Sequence, residues 1–231
     1  GLVKAGAKVV IADLNPPAET ALEELGDSVR FEKTDVREET DVRKAIETAD
    51  HTFGNVRGAM ICAGIIHAER TVNKTGAFNL EAFRRVIDVN LIGTFNVARL
   101  VAEHLSKTEP QDHDERGVII MTSSVAAFDG QIGQAAYSAS KGGVASLALP
   151  LARDLSKFGI RVVAIAPGVF ETPMMAAISD EYRKSLTENV PFPYRLGQPD
   201  EFAALARHII ENPYLNGETI RLDAALRMSP R

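Results

Sequence analysis

The chain of 231 residues contains no tryptophan and only four tyrosines and one cysteine. A single thiol, Cys62, cannot close an internal disulfide, which fits a reducing compartment; its setting "MICAGII" reads as a small buried residue rather than a nucleophile. No apolar run approaches the roughly 18–20 residues needed to span a bilayer. Positive charge is not in excess, since 26 Lys and Arg against 31 Asp and Glu leave a net charge of −5, so the electrostatic footprint of a nucleic-acid or anionic-membrane binder is missing. His51, His67, His104, His113 and His208 show no ligand spacing with one another or with Cys62, which argues against a metal site. The opening "GLVKAGAKVV" has neither a signal-peptide pattern nor an initiator methionine.

What is present is an alternation. The β-branched runs "AKVVIAD", "VRFEKTD", "VRGAMICAG", "GVIIMTSS", "IRVVAIAPG" and "ETIRLD" are separated by longer amphipathic stretches. Nearly continuous apolar strands are buried on both faces, and strand–helix alternation produces a parallel sheet, so residues 1–231 are expected to form a single α/β domain with a doubly wound, Rossmann-type sheet. "SKTEPQDHDERG", Ser106 to Gly117, reads as a surface loop.

Ligands of such sheets lie beyond the carboxyl ends of the strands. Those ends carry Asp13, Asp35 with Val36, Ala63 with Gly64, Ser123 with Ser124, and Pro167 with Gly168. An acidic residue closing a nucleotide-binding strand accepts hydrogen bonds from an adenosine ribose and repels a 2′-phosphate, so Asp13, with no arginine or lysine beside it, favours NAD over NADP. The same aspartate also suits an N-cap for the helix in "PPAETALEEL". A glycine-rich phosphate loop belongs about 20 residues upstream of it, before residue 1. The first strand and that loop are thus expected to be absent from this sequence, with "GLVKAG" as the last turn of the helix that follows them, and the physical polypeptide to carry about two dozen more residues.

In "AAYSASKGG", Tyr137 and Lys141 stand four residues apart, which puts them on one face of a helix. A nearby ammonium favours an ionised phenol, so Lys141 is expected to lower the pKa of Tyr137 towards a useful acid/base range. Ser124, 13 residues before Tyr137, places a hydroxyl where it can bind a carbonyl or alcohol oxygen beside the phenol.

These residues, with "APG" followed by Thr172, "CAG" at Cys62 to Gly64 and "DVNLIG" containing Asn90, resemble the short-chain dehydrogenase/reductase family over essentially the whole chain. "GTFNVARLVAEHL", "SSVAAFDGQIGQAAYSASKGG", "VPFPYRLGQPDEFA" and "IIENPYLNGETIRLDAALRM" are similar to members that act on 3-hydroxyacyl-CoA. The resemblance implies an NAD-dependent enzyme interconverting a secondary alcohol and a ketone, with 3-hydroxyacyl-CoA and 3-oxoacyl-CoA as the pair; alternatives are a steroid or other secondary alcohol, or a scaffold subunit on the same fold. It implies Tyr137 as acid/base, Ser124 as orienter of the substrate oxygen, Lys141 at the nicotinamide ribose, Asn90 holding a proton-relaying water and Gln131 touching substrate. Asp13 would bind the adenosine ribose, Asp35 and Val36 the adenine, Ala63 and Gly64 the cofactor's middle, and Pro167, Gly168 and Thr172 its nicotinamide end. A homotetramer is implied, paired through the helices around Glu81–Ser106 and Tyr137–Lys157, and a cytoplasmic location, or the mitochondrial matrix in a eukaryote. Two residues depart from the pattern: Ile61 replaces an asparagine, and Ala224 replaces the glycine usual after Asp223. "PFPYRLGQPDEFA" is either a lid over the substrate or plain packing between helices.

Overall fold

Each of the six β-branched runs is a parallel strand in the computed structural model, which describes residues 1–172 and 186–230. They are β1 (Val9–Asp13), β2 (Val29–Lys33), β3 (Gly58–Ile61), β6 (Gly117–Thr122), β7 (Ile160–Pro167) and β8 (Thr219–Leu222). Between β3 and β6 lies a short antiparallel hairpin that the sequence did not announce, β4 (Val72–Asn73) with β5 (Gly76–Ala77). Two residues per strand are too few for a periodic pattern.

Four strands form one sheet in the order β3-β6-β7-β8, and β1 pairs with β2 in a second. Among the described residues β1 pairs with β2 alone and β3 with β6 alone, so each keeps one open edge. The helices α2 (Glu39–Phe53) and α4 (Gly93–Leu105) join the pieces: α2 packs on β1, β2 and α4, and α4 packs in turn on β3 and β6. Within the larger sheet the strands run in chain order from β3 to β8, all parallel, as helix crossovers require.

The core forms two layers because successive strand residues point to opposite faces. Ile119, Met121, Val162 and Ala164 face α4 and α5 (Ala135–Leu155), meeting Val101, Leu105, Val144 and Ala148. Val118, Ile120, Val163 and Ile165 face α6 (Pro199–Glu211), meeting Ala206 and Ile209. Burying each large aliphatic side chain contributes about 1.5–3 kcal/mol. Ile61, at the asparagine position, is 4% exposed and belongs to the first layer, so apolar packing there takes the place of an amide tie. Arg161 reaches through the second layer to Glu115 and to the carbonyls of Ile209, Ile210 and Leu215, which satisfies its charge and the end of α6.

Local signals explain the element starts. Asn79 Oδ1 accepts from the N–H groups of Glu81 and Ala82 and begins α3 (Leu80–Ile87). Gln198 and Glu201 form a reciprocal capping box, with Pro199 opening α6. Asp13 caps nothing: α1 (Glu19–Leu25) begins after Ala18, and the Asp13 carboxylate accepts one hydrogen bond, from the N–H of Asn15. "GLVKAG" ends in a single tight turn, Val3–Ala5, closed by a left-handed Gly6. Ser106 to Gly117 is mostly exposed, as expected, with one short turn at Asp112–Asp114. No helix among the described residues is long and apolar enough to cross a membrane.

Candidate active site

The expected helix from Glu81 to Ser106 is interrupted. Between α3 and α4 the backbone widens into one π-helical turn, Asp88–Ile92, and Asn90 sits in it, fully buried. Such single-turn bulges redirect a side chain that an α-helix would stack against its neighbours. The Thr94 hydroxyl donates to the Asn90 carbonyl. The Asn90 amide bridges two elements: Nδ2 donates to the Ile65 carbonyl at 2.9 Å and to Ser140 Oγ at 3.0 Å, and Oδ1 accepts from the Ile65 N–H at 2.7 Å. Ser140 Oγ then donates to the Tyr137 carbonyl at 2.7 Å. The loop after β3 is thereby tied to the first turns of α5.

Tyr137, Ser140 and Lys141 stand on α5; Ser123 and Ser124 follow the end of β6. Lys141 is 4% exposed, and its ammonium donates to the Thr122 carbonyl at 2.8 Å and lies 5.8 Å from the centroid of the Tyr137 ring. Ser123 Oγ donates to the Lys141 carbonyl at 2.8 Å, locking the helix to the strand end. Ser124 starts a short turn, Val125–Ala127, in which its Oγ accepts from the Ala126 N–H, and its hydroxyl acts on the Tyr137 phenol so as to hold the phenol's pKa down. The three groups singled out in the sequence therefore meet. Ser123 was noted only as a strand end and not as a tie to α5, while Ser140 and the Thr122 carbonyl went unremarked; the only available signal was the density of small hydroxyl residues around the motif.

Electrostatics correct one expectation. Burial pushes the Tyr137 phenol above its ordinary value, partly opposed by Ser124, and the lysine is not among the groups that move it. Burial also drops Lys141 to about 8, with Cys62 opposing weakly. In this state the desolvation of both groups outweighs their mutual effect. Cys62 is a second correction. It is exposed rather than buried, although its surroundings still desolvate the thiol enough to raise its pKa, and Thr122 Oγ1 contacts its sulfur at 3.5 Å.

Of the residues expected at a dinucleotide, Asp13, Asp35, Val36, Ala63, Gly64, Pro167 and Gly168 lie at or just past the carboxyl ends of strands, Tyr137 and Lys141 stand on α5, and Thr172 lies further past β7. Asp13 is exposed at the end of β1. Asp35, just past β2, is ion-paired with Arg37, which lowers its pKa; the Val36 carbonyl accepts from Asn96 at 2.8 Å. Ala63 and Gly64 follow β3, and a Cβ added at Gly64 would stand 3.4 Å from both Asn90 Oδ1 and Lys141 Nζ, so the missing side chain keeps a cradle open beside the buried ammonium. At Gly168 a Cβ would come 3.0 Å from the Asp223 backbone, which explains the glycine by close packing of the ends of β7 and β8. Thr172 is exposed at the limit of the described stretch. Ala224 adopts φ 49° and Ala225 φ 62°, left-handed conformations that explain why glycine is the usual choice after Asp223. The Gln131 amide, expected at the substrate, donates to the Ser229 carbonyl at 3.0 Å.

The segment containing "PFPYRLGQPDEFA" joins the site edge. Gly197 bridges Phe170 in parallel, and Val190, Pro193, Arg195 and Gly197 line a cavity of about 220 Å³ together with Val169, Phe170 and residues 222–224. Phe192 and Tyr194 remain 73% and 78% exposed, so packing between helices does not account for them.

A parallel sheet flanked by helices, with a hydroxyl–phenol–ammonium cluster beyond its carboxyl edge, is the arrangement of a dinucleotide-dependent oxidoreductase acting on alcohols and ketones. The short chain dehydrogenase family model matches residues 1–183, and the chain belongs to that family. It is 54% identical over 232 aligned residues to 3-hydroxyacyl-CoA dehydrogenase type-2 of Bos taurus, covering 99% of this chain and 89% of the bovine one. Its identity to the Drosophila melanogaster protein of the same name is 52%, covering 99% and 91%. The crystal structure of 3-hydroxyacyl-CoA dehydrogenase type-2 from Mycobacterium avium superposes with a TM-score of 0.94 at 44% identity, covering 100% of this chain and 90% of that one.

Proposed function

We propose that this chain interconverts 3-hydroxyacyl-CoA and 3-oxoacyl-CoA, with NAD rather than NADP as cofactor. The observation that carries the reading is the Ser124–Tyr137–Lys141 cluster, with Ser124 and Lys141 buried, beside the cradle at Gly64. Names of relatives supply the substrate class. When bound, the nicotinamide ring accepts or supplies the hydride. In the oxidising direction the alcohol hydroxyl gives its proton to the Tyr137 oxygen as the carbon–hydrogen bond breaks; in reduction the phenol returns the proton to the ketone oxygen. Ser124 donates to the substrate oxygen, and Lys141, with two N–H groups beyond the one held by Thr122, donates to the ribose. Asn90 has both amide hydrogens engaged, so its part in a water relay would run through its backbone carbonyl, which already accepts from the Thr94 hydroxyl. Gly64 gives the cofactor close backbone approach beside Lys141. A pure scaffold has no need of a buried lysine whose charge is destabilised by its surroundings.

NADH consumption with acetoacetyl-CoA tests the reading directly; no turnover would refute it. For the cofactor, an exposed Asp13 carboxylate with room for ribose hydroxyls favours NAD through hydrogen bonds and charge. Asp13→Ser is expected to cut the NAD-over-NADP preference in kcat/KM about 10- to 100-fold, the effect of losing a charge-assisted hydrogen bond. An unchanged preference would remove Asp13 from that role.

We also propose a homotetramer. Ile92, Phe95 and Leu149 lie 52%, 41% and 46% exposed on or beside α4 and α5, more apolar surface than the sheet covers. Sedimentation at micromolar protein should give about four times the monomer mass. A monomer sinks the proposal.

A further inference from the structure

The segment between Ser124 and Tyr137 carries both hydroxyls of the cluster at its ends, so its position sets the wall beside them. Its middle, residues 128–134, is held from outside. Arg221, near the end of β8, donates through Nη2 to Asp129 Oδ2 at 2.5 Å and to the Leu226 carbonyl at 3.1 Å, and through Nε to Asp223 Oδ2 at 2.6 Å. The guanidinium carbon lies 5.2 Å from the centroid of the Phe128 ring. Both partners are shielded, with side-chain exposures of 22% for Arg221 and 20% for Asp129. The C-terminal segment adds two ties, Gln131 Nε2 to the Ser229 carbonyl and the Ile132 N–H to the Pro230 carbonyl, each 3.0 Å. On the other flank the Glu69 N–H donates to the Gly133 carbonyl.

We propose that Arg221 is a positioning residue for substrate binding: its fork clamps residues 128–134 to the strained turn at Asp223–Leu226, and so fixes the wall met by the non-reacting part of the acyl substrate. This rests on the substrate reading above. Two geometric facts separate the role from general stability. Arg221 meets the loop at Phe128 and Asp129, away from the Asn90–Ser140 and Ser123–Lys141 bonds that hold the cluster itself. The Asp223 turn that anchors it is independently seated, because the Gly168 N–H donates to the Leu222 carbonyl and Gly168 packs on Asp223. Losing the fork should therefore free the loop and the tail and leave β7 in place.

The test has two arms, both on the full protein. In hydrogen exchange, Arg221→Met should speed the amides of 128–134 and 224–230 about tenfold or more, with β6 and β7 unchanged. In kinetics it should raise KM for acetoacetyl-CoA about tenfold, hold kcat within about threefold and leave NADH affinity unaltered; Arg221→Lys, which keeps the charge and loses the fork, should fall between. Asp129→Asn removes the partner carboxylate from a part-exposed loop and should reproduce both arms, so it decides the matter if Arg221→Met does not fold. Unchanged exchange in the loop, faster exchange throughout the chain, or NADH affinity falling in step with KM overturns the proposal. An unsubstituted protein inert towards acetoacetyl-CoA refutes the substrate reading instead, and the exchange arm still decides whether Arg221 holds the loop.

Discussion

Tyr137→Phe is expected to bind NADH as the unsubstituted protein does and to lose about 10²- to 10⁴-fold in turnover of acetoacetyl-CoA, the usual effect of removing a general acid/base. The ring, which the Lys141 ammonium approaches to 5.8 Å, is kept, and so are the bonds from Ser140 and Ser123 that seat this part of α5. Only the hydroxyl, whose pKa Ser124 holds down, goes. The direction of the phenol's shift adds a pH signature. Because burial raises its pKa above the ordinary value near 10, Tyr137 is protonated and ready to donate throughout the neutral range, so ketone reduction should stay flat there. Alcohol oxidation needs the ionised form and should climb with pH from neutral into the alkaline range. Stopped-flow rates across pH 6–10 in both directions would check this. A variant retaining a tenth of turnover overturns the assignment, and one that fails to bind NADH shows that the hydroxyl serves the site's structure first.

The parts legible in the sequence were those with a period or a fixed spacing. All six parallel strands were announced by β-branched runs, because strands covered on both faces must be apolar nearly throughout, and Ile160 to Ala166 is buried without a break. That Tyr137 and Lys141 share one helical face was legible from their spacing, their role only from the combination with Ser124 and the family pattern, and the close packing at Gly168 made sense of its glycine. What was not legible depends on distance. Nothing in the order of residues says that Asn90 faces Ser140, 50 positions on, or that its helix widens to allow it. Desolvation was equally invisible: the spacing of Tyr137 and Lys141 suggested mutual assistance, while the surrounding protein pushes each towards its neutral form. Cys62 follows the last residue of β3 and is exposed, although the protein around it still desolvates its thiol; the apolar run in sequence foretold that desolvation but not the exposure. Asp35 was foreseen only as an adenine contact, and its pairing with Arg37, two residues away, was in plain view.

Lys141→Met should do two opposite things, and their combination identifies the lysine as a functional residue held against its own stability. Turnover should fall about 10²- to 10³-fold, since the variant loses a charge-assisted donor to the ribose. Cofactor-free protein should become no less stable at pH 7, and up to roughly 3 kcal/mol more so, because burial holds the Lys141 pKa at about 8 against an ordinary value of 10.5. The sign follows from proton counts. Between pH 8 and 10.5 the unfolded lysine binds a proton that the folded one has released, so this group makes the unsubstituted protein more stable as pH rises through that window, and contributes no slope below it. Methionine cannot titrate, so the difference in unfolding free energy between the two proteins should shrink steadily from pH 7.5 to 10. The lost bond to the Thr122 carbonyl works against the gain, which is why 3 kcal/mol is a ceiling. Urea unfolding of both proteins at half-unit pH steps measures the difference directly. A constant difference across the window would mean that Lys141 titrates normally, and a variant with near-native turnover would remove it from the chemistry altogether.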